Sequence, residues 1–283
     1  MPRTLCLALA CLLLASFEVP ADAREGKAVQ YSRVDVGLAL AWFGYNESDI
    51  TQYGFLEGVD LKAKLSVPAK HLWNAYPALM FEGDLLGGLL TYDGKSLDGQ
   101  PLHTGSADLL GNVRALMGVD FLIGRSRLMP YFGLGARYWF DDVQDSEGYP
   151  RWSRFLYFPM GMEIGFDAGH KDEFGIRSEF APILMGWIST YLEEVDSDYQ
   201  DAHNTKDFGS GFGLNNSAFY TTQLSNGKKL TWEAFFRYWV SMKSNSTTLR
   251  GDDPGTAAAE TEYEYSVPHN STAMYGLRVS IGF

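Results

Sequence analysis

The chain has 283 residues and is acidic, with 35 Asp and Glu against 23 Lys and Arg and a formal net charge of −12. That balance excludes nucleic acid as a partner, because phosphates need a basic surface, and it leaves room for cationic ligands. Both cysteines, Cys6 and Cys11, fall near the start, so the rest of the chain has no disulfide, no thiolate metal site and no Cys nucleophile.

The first segment reads as a secretory signal. Arg3 gives a basic start, Leu5 to Phe17 is apolar and uncharged, and Ala21-Asp22-Ala23 is a small-x-small cleavage site. The apolar run is shorter than the ~20 residues that a helix needs to cross a bilayer. Cleavage after Ala23 divides the chain into a signal, 1–23, and one domain, 24–283. No later apolar run reaches helical-span length. Membrane insertion would therefore use strands closed into a barrel, the one other way to satisfy backbone polar groups in lipid.

Ten segments with period-2 alternation follow in order. Val34 to Trp42 alternates with Asp35, Gly37, Ala39 and Ala41. Val59 to Val67 alternates with Asp60, Lys62 and Lys64. Pro77, Leu79, Phe81 and Leu85 oppose Glu82 and Asp84. Val113 to Phe121 opposes Arg114 and Asp120. Phe132 to Phe140 opposes Arg137. Phe158 to Phe166 opposes Glu163. Phe174, Ile176, Phe180 and Leu184 oppose Arg177 and Glu179. The eighth segment, near Phe212 to Thr222, is the least regular, because Asn215 and Asn216 blur its faces. Leu230 to Val240 opposes Glu233 and Arg237. Tyr275, Leu277, Val279, Ile281 and Phe283 oppose Gly276, Arg278, Ser280 and Gly282.

The connections alternate in length. Short ones fall near 68–74, 122–129, 167–172 and 223–228, and long ones near 44–55, 91–107, 142–153, 188–208 and 243–271. The pattern predicts an all-β fold: a closed antiparallel transmembrane β-barrel of about ten strands, with short periplasmic turns and long extracellular loops. Aromatics near both strand ends fit the girdles of such barrels: Trp42, Tyr138, Phe140 and Trp187 at one end, Tyr76, Phe121, Phe166 and Trp232 at the other. The polar face points into the bore. It carries Arg33, Lys62, Lys64, Arg114, Arg137, Arg177, Arg237 and Arg278 against Asp35, Asp60, Glu82, Asp84, Asp120, Glu163, Glu179 and Glu233. Equal numbers in a narrow bore predict a paired, charge-filled lumen.

The closing run Tyr275-Gly-Leu-Arg-Val-Ser-Ile-Gly-Phe283 resembles the assembly signal of Gram-negative outer-membrane barrel proteins. That resemblance implies an address in the bacterial outer membrane. The partners it implies are outer-membrane lipid, lipopolysaccharide and the barrel-assembly machinery.

Candidate chemistry is sparse. His71, His103, His170, His203 and His269 all fall in the expected connections, and no cofactor is expected. The fourth long loop holds Glu193, Glu194, Asp196, Asp198 and Asp201, read as a solvated acidic face. Asp201-Ala202-His203 in this loop, together with the ten-strand plan and the terminal Phe283, resembles the omptins, ten-stranded outer-membrane endopeptidases. The resemblance implies His203 as a general base toward water and Asp201 as its orienting partner. Omptins also carry an Asp-x-Asp pair across the cleft. The matching region here reads Tyr92-Asp93-Gly94-Lys95-Ser96-Leu97-Asp98, without such a pair, and Glu82 and Asp84 have the spacing but sit lower, in a strand. The leading reading is therefore a non-enzymatic structural or surface-interaction barrel with acidic loops. An omptin-like peptidase and a narrow porin are its alternatives.

Overall fold

The computed structural model describes residues 32–66, 75–96, 99–169, 171–195, 199–251 and 261–283. The expected signal segment 1–23 and cleavage site lie outside the described residues. The strands are β1 (Ser32–Glu47), β2 (Ile50–Ser66), β3 (Ala75–Lys95), β4 (Pro101–Ile123), β5 (Ser126–Val143), β6 (Arg151–Tyr157), β7 (Met160–Gly169), β8 (Asp172–Thr190), β9 (Ala202–Lys206), β10 (Gly211–Gln223), β11 (Lys229–Ser241), β12 (Thr247–Gly251), β13 (Thr261–Tyr265) and β14 (Asn270–Gly282).

The pairings run round a closed antiparallel ring. From β1 they pass through β2, β3, β4 and β5, then β6 and β7, then β8, β10, β11 and β14, and back to β1. Two staves are broken. β6 and β7 both bridge β5 to β8, separated by Phe158-Pro159. Proline has no N–H to give the ladder. The backbone compensates, with Gly133 N–H donating to the Pro159 carbonyl at 2.9 Å and Phe158 N–H to that of Pro182 at 3.0 Å. β9 and β10 likewise share one face of β8, and each broken pair counts as one stave of ten. The seam joins the chain's two ends, with Leu38 opposite Val279 and Asp35 opposite Gly282. Phe283 N–H adds a bond to the Val34 carbonyl at 2.9 Å.

The apolar faces point outward. Leu38 is 69% exposed and Leu277 64%, while Asp60 and Arg278 on the alternate face are 3% and 4% exposed. A soluble sandwich would bury the first set and wet the second. The exposed belt here is what a lipid-facing wall requires. The irregular eighth segment has a local explanation in β10. Asn216 faces outward, opposite Ser178 of β8, whose hydroxyl donates to Asn216 Oδ1 at 2.8 Å. Two polar groups on the outer wall thus satisfy each other.

The strands run further than the alternation suggests. Ser48 and Asp49 alone separate β1 from β2, where a loop over 44–55 was expected, and β3 continues to Lys95. Above the lipid belt an outward side chain need not be apolar, so the sequence pattern fades while the backbone still needs its ladder. This corrects the placement of the histidines. His103 sits in β4 and His203 in β9, not in loops, whereas His269 does lie in a connection. His71 and His170 are outside the described residues.

Candidate functional site

Among the described residues the bore is lined by a dense set of paired charges. Toward its periplasmic end Arg127 meets Asp120 at 3.0 Å and Glu173 at 2.9 Å and also contacts Glu163, while Lys64 binds Asp120 from the other side. Arg33 pairs with Asp35. At mid-bore some partners come from well-separated strands, while Arg114–Glu82 and Arg278–Glu233 face each other across neighbouring ones. Arg237 on β11 holds both oxygens of Asp84 on β3, at 3.0 and 2.6 Å. Arg177 on β8 meets Glu82 on β3 at 2.6 Å, and Arg114 on β4 bridges Glu82 and Glu179. Lys62 on β2 reaches Glu233 on β11 at 2.6 Å, and Arg278 joins Glu233 and Asp60 at 3.0 and 3.4 Å. Tyr131 donates to Glu179 at 3.0 Å, and Asn215 donates to the same carboxylate at 2.7 Å. Bidentate and multiply bonded pairs of this kind suit a low-dielectric bore, where an unmatched charge is costly.

Arg137 stands apart from this network. Its Nη2 donates to Thr272 Oγ1 at 3.3 Å and its guanidinium lies 5.0 Å from the Trp239 ring centroid. No carboxylate stands within ion-pairing distance of it among the described residues.

A further cluster at the extracellular end was not legible as such. Asp108 and Asp141 face each other directly across β4 and β5. Trp139 Nε1 donates to Asp108 at 2.7 Å, Gln52 Nε2 to Asp141 at 3.4 Å, and Arg151 reaches Asp141 at 3.4 Å and Glu47 at 3.3 Å. Tyr45 also bonds Glu47. Asp141 and Glu47 hold the Arg151 guanidinium and Asp108 stands beside Asp141, so carboxylates outnumber that guanidinium at this end of the bore. Sequence reading missed Arg151 because 142–153 looked like a loop, and missed Arg127 because 122–129 looked like a turn. The signal was present in parity. Arg127, Met129 and Tyr131 alternate in step with Arg137, and Arg151, Ser153, Phe155 and Tyr157 form a second in-step run.

Above the mouth, the hairpin β12–β13 and β9 form a cap with its own apolar cluster of Leu192, Tyr199, Ala202 and Leu249, against which Tyr149 and Tyr265 pack. Asn204 ties the cap down. Its Nδ2 reaches the Asn245 carbonyl at 2.9 Å and the Tyr265 carbonyl at 3.2 Å. Burial holds the Tyr149 hydroxyl well above the usual tyrosine range and raises that of Tyr265.

The structure does not assemble the Asp201–His203 pair. Asp201 Oδ1 accepts the Glu193 N–H at 3.2 Å, and His203 Nδ1 faces the Ser189 hydroxyl at 3.2 Å. The buried Ala202 between them points inward, so His203 lies on the outer side of β9, away from the carboxylates in the bore. Glu82 and Asp84 are engaged by Arg114, Arg177 and Arg237. Asp196 and Asp198 are outside the described residues, while Glu193 and Glu194 lie in the connection before β9. The assembly-signal residues Tyr275, Leu277, Val279, Ile281 and Phe283 lie along the outward face of the closing stave, with Phe283 just past its end.

No protein-family model and no curated protein matches the sequence. Solved structures do match in shape. The outer membrane protease OmpT from Escherichia coli superposes with a TM-score of 0.55 at 6% identity, covering 90% of this chain and 96% of that one. The translocator domain of the autotransporter NalP from Neisseria meningitidis gives 0.41 at 10% identity, covering 87% of each chain. The toluene transporter TodX from Pseudomonas putida gives 0.35 at 7%, covering 90% of each. At these identities the likeness to OmpT shows the fold. The chain has the architecture of outer-membrane β-barrels, of the ten-stranded, omptin-like kind.

Proposed function

We propose that the protein is an integral barrel of the bacterial outer membrane whose bore is closed by its own charges and whose extracellular end binds rather than cleaves. One observation carries this reading: ion pairs cross the bore between strands that are not neighbours. Arg237–Asp84, Lys62–Glu233, Arg177–Glu82 and Arg114–Glu179 each tie one side of the wall to another, at 2.6 to 2.8 Å. A ten-stranded barrel is narrow, since eight strands leave only enough room for side chains. An ion moving through would have to separate buried pairs, each costing several kcal/mol to break.

The binding role rests on the electronegative mouth. Glu47, Asp108 and Asp141 place acidic charge at that end, which favours a ligand that supplies positive charge, such as a basic peptide. The experiment is conductance of the refolded protein in planar bilayers. A sealed bore gives no stable ohmic steps, and steady single-channel currents would overturn the reading in favour of a narrow porin. In parallel, an arginine-rich peptide should bind the refolded protein and weaken as salt rises. Cleavage of that peptide, lost on His203→Ala, would overturn the non-enzymatic part.

A further inference from the structure

The extracellular half of the bore encloses a cavity of ≈ 20 Å³, room for one water-sized species. Two guanidiniums line it, those of Arg137 and Arg151, and no carboxylate does. This is unexpected in a chain of net charge −12. Arg151 is already matched by Asp141 and Glu47. Arg137 is not, although only 4% of its surface is exposed. Among the described residues it is the one inward-facing arginine without a carboxylate partner.

Two further donors line the same cavity. Trp239 Nε1 and the Ser241 hydroxyl are both buried and have no hydrogen-bond partner among the described residues. The indole N–H can only donate, and a guanidinium can only donate. Arg137 lies against the Trp239 ring on one side and is held by Thr272 on the other. Thr272 in turn is paired with Trp239 across β11 and β14. Two of the donors therefore stand two residues apart on β11, with Arg137 reaching them from β5 and held there by Thr272. A buried positive charge with unanswered donors around it carries a large desolvation cost unless an acceptor of opposite charge completes it.

We infer that this cavity is a binding site for a single small anion of chloride size, held by Arg137, Trp239 Nε1 and Ser241. The volume selects a monatomic ion over a carboxylate-bearing metabolite. The ion would complete the Arg137 guanidinium, which no carboxylate reaches among the described residues, and so couple the ionic environment to the rigidity of the upper bore.

The test uses the full refolded protein in detergent. Crystals soaked in bromide should show an anomalous peak against the Arg137 guanidinium and Trp239 Nε1. Thermal unfolding in chloride should exceed that in an equal ionic strength of gluconate by about 2–4 °C, and Arg137→Met should remove the difference. Bromide on exposed arginines such as Arg125 alone would mean an adventitious ion only, and would overturn the inference. So would an equal chloride effect in Arg137→Met, or no chloride effect in the native chain. If Arg137→Met fails to fold, the bromide peak in the native protein and the chloride shift in Ser241→Ala, which should shrink, decide it.

Discussion

At the residue scale the molecule is governed by the cost of burying charge. Asp84 is held by Nη1 and Nη2 of Arg237, and neither side chain is more than 10% exposed. Removing Asp84 strands Arg237, whereas removing Arg237 leaves the buried Asp84 with only Asn112 Nδ2 at 2.9 Å and Arg278 at 3.9 Å. Arg237→Met should therefore destabilise the barrel by about 3–5 kcal/mol, whereas the double variant Arg237→Met, Asp84→Leu should recover most of the loss. Urea unfolding in micelles measures both, and a double variant as weak as the single one would show that the pair itself supplies the stability. Alkali probes the cap in the same way. In the unfolded chain Tyr149 and Tyr265 ionise near their ordinary value of 10.0, and burial raises both in the fold. Their contribution is thus fully present below pH 10 and lost as pH climbs past it. Limited proteolysis of the cap should accelerate above that pH, and Tyr149→Phe should blunt the effect.

At the element scale the close approach of strands sets the tolerances. A Cβ on Gly58 in β2 would stand 1.9 Å from the Leu85 carbonyl of β3, and one on Gly88 would stand 2.3 Å from that of Phe55. The two strands meet backbone to backbone here, so Gly58→Val must break the β2–β3 register. It should abolish the protease-resistant barrel in refolding assays. Gly44→Ala on β1 meets nothing nearer than the Ala273 carbonyl at 4.0 Å and should refold like the native chain. The breaks in the two composite staves have different origins. Pro159 interrupts one chemically, by lacking a donor. A turn at 207–210 interrupts the other, with Gly209 in a left-handed conformation at φ +79° and its N–H donating to the Ile183 carbonyl at 3.1 Å.

At the scale of the whole molecule, closure is the decisive contact. β14 pairs with both β1 and β11 along its whole length, so losing it leaves two open edges. A chain truncated before Tyr275 should fail to form a resistant barrel, and its appearance in full yield would show that the ring closes without its last stave. The expected lack of ohmic conductance belongs to this scale too, because it depends on pairs that span the bore.

The sequence by itself determined the class of fold and, within the lipid belt, which residues of each stave face the bore. A period of two assigns every residue to one of two faces, and Phe81, Val113 or Leu277 could take only the outer one once Glu82, Arg114 and Arg278 lay opposite. Local alternation could not say which charges meet. That Arg237 holds Asp84, 153 positions away, follows from ring order and shear, which exist only when the barrel closes. Nor did it bring Arg151 and Asp141 together, because above the lipid the outward positions turn polar and the alternation weakens while the ladder continues. The same reasoning separates Asp201 from His203. They are two residues apart in sequence, yet one binds a loop amide and the other faces a serine on the outer wall. The tertiary structure alone decided that Arg137 would be left without a carboxylate, because that depends on the positions of all its neighbours at once.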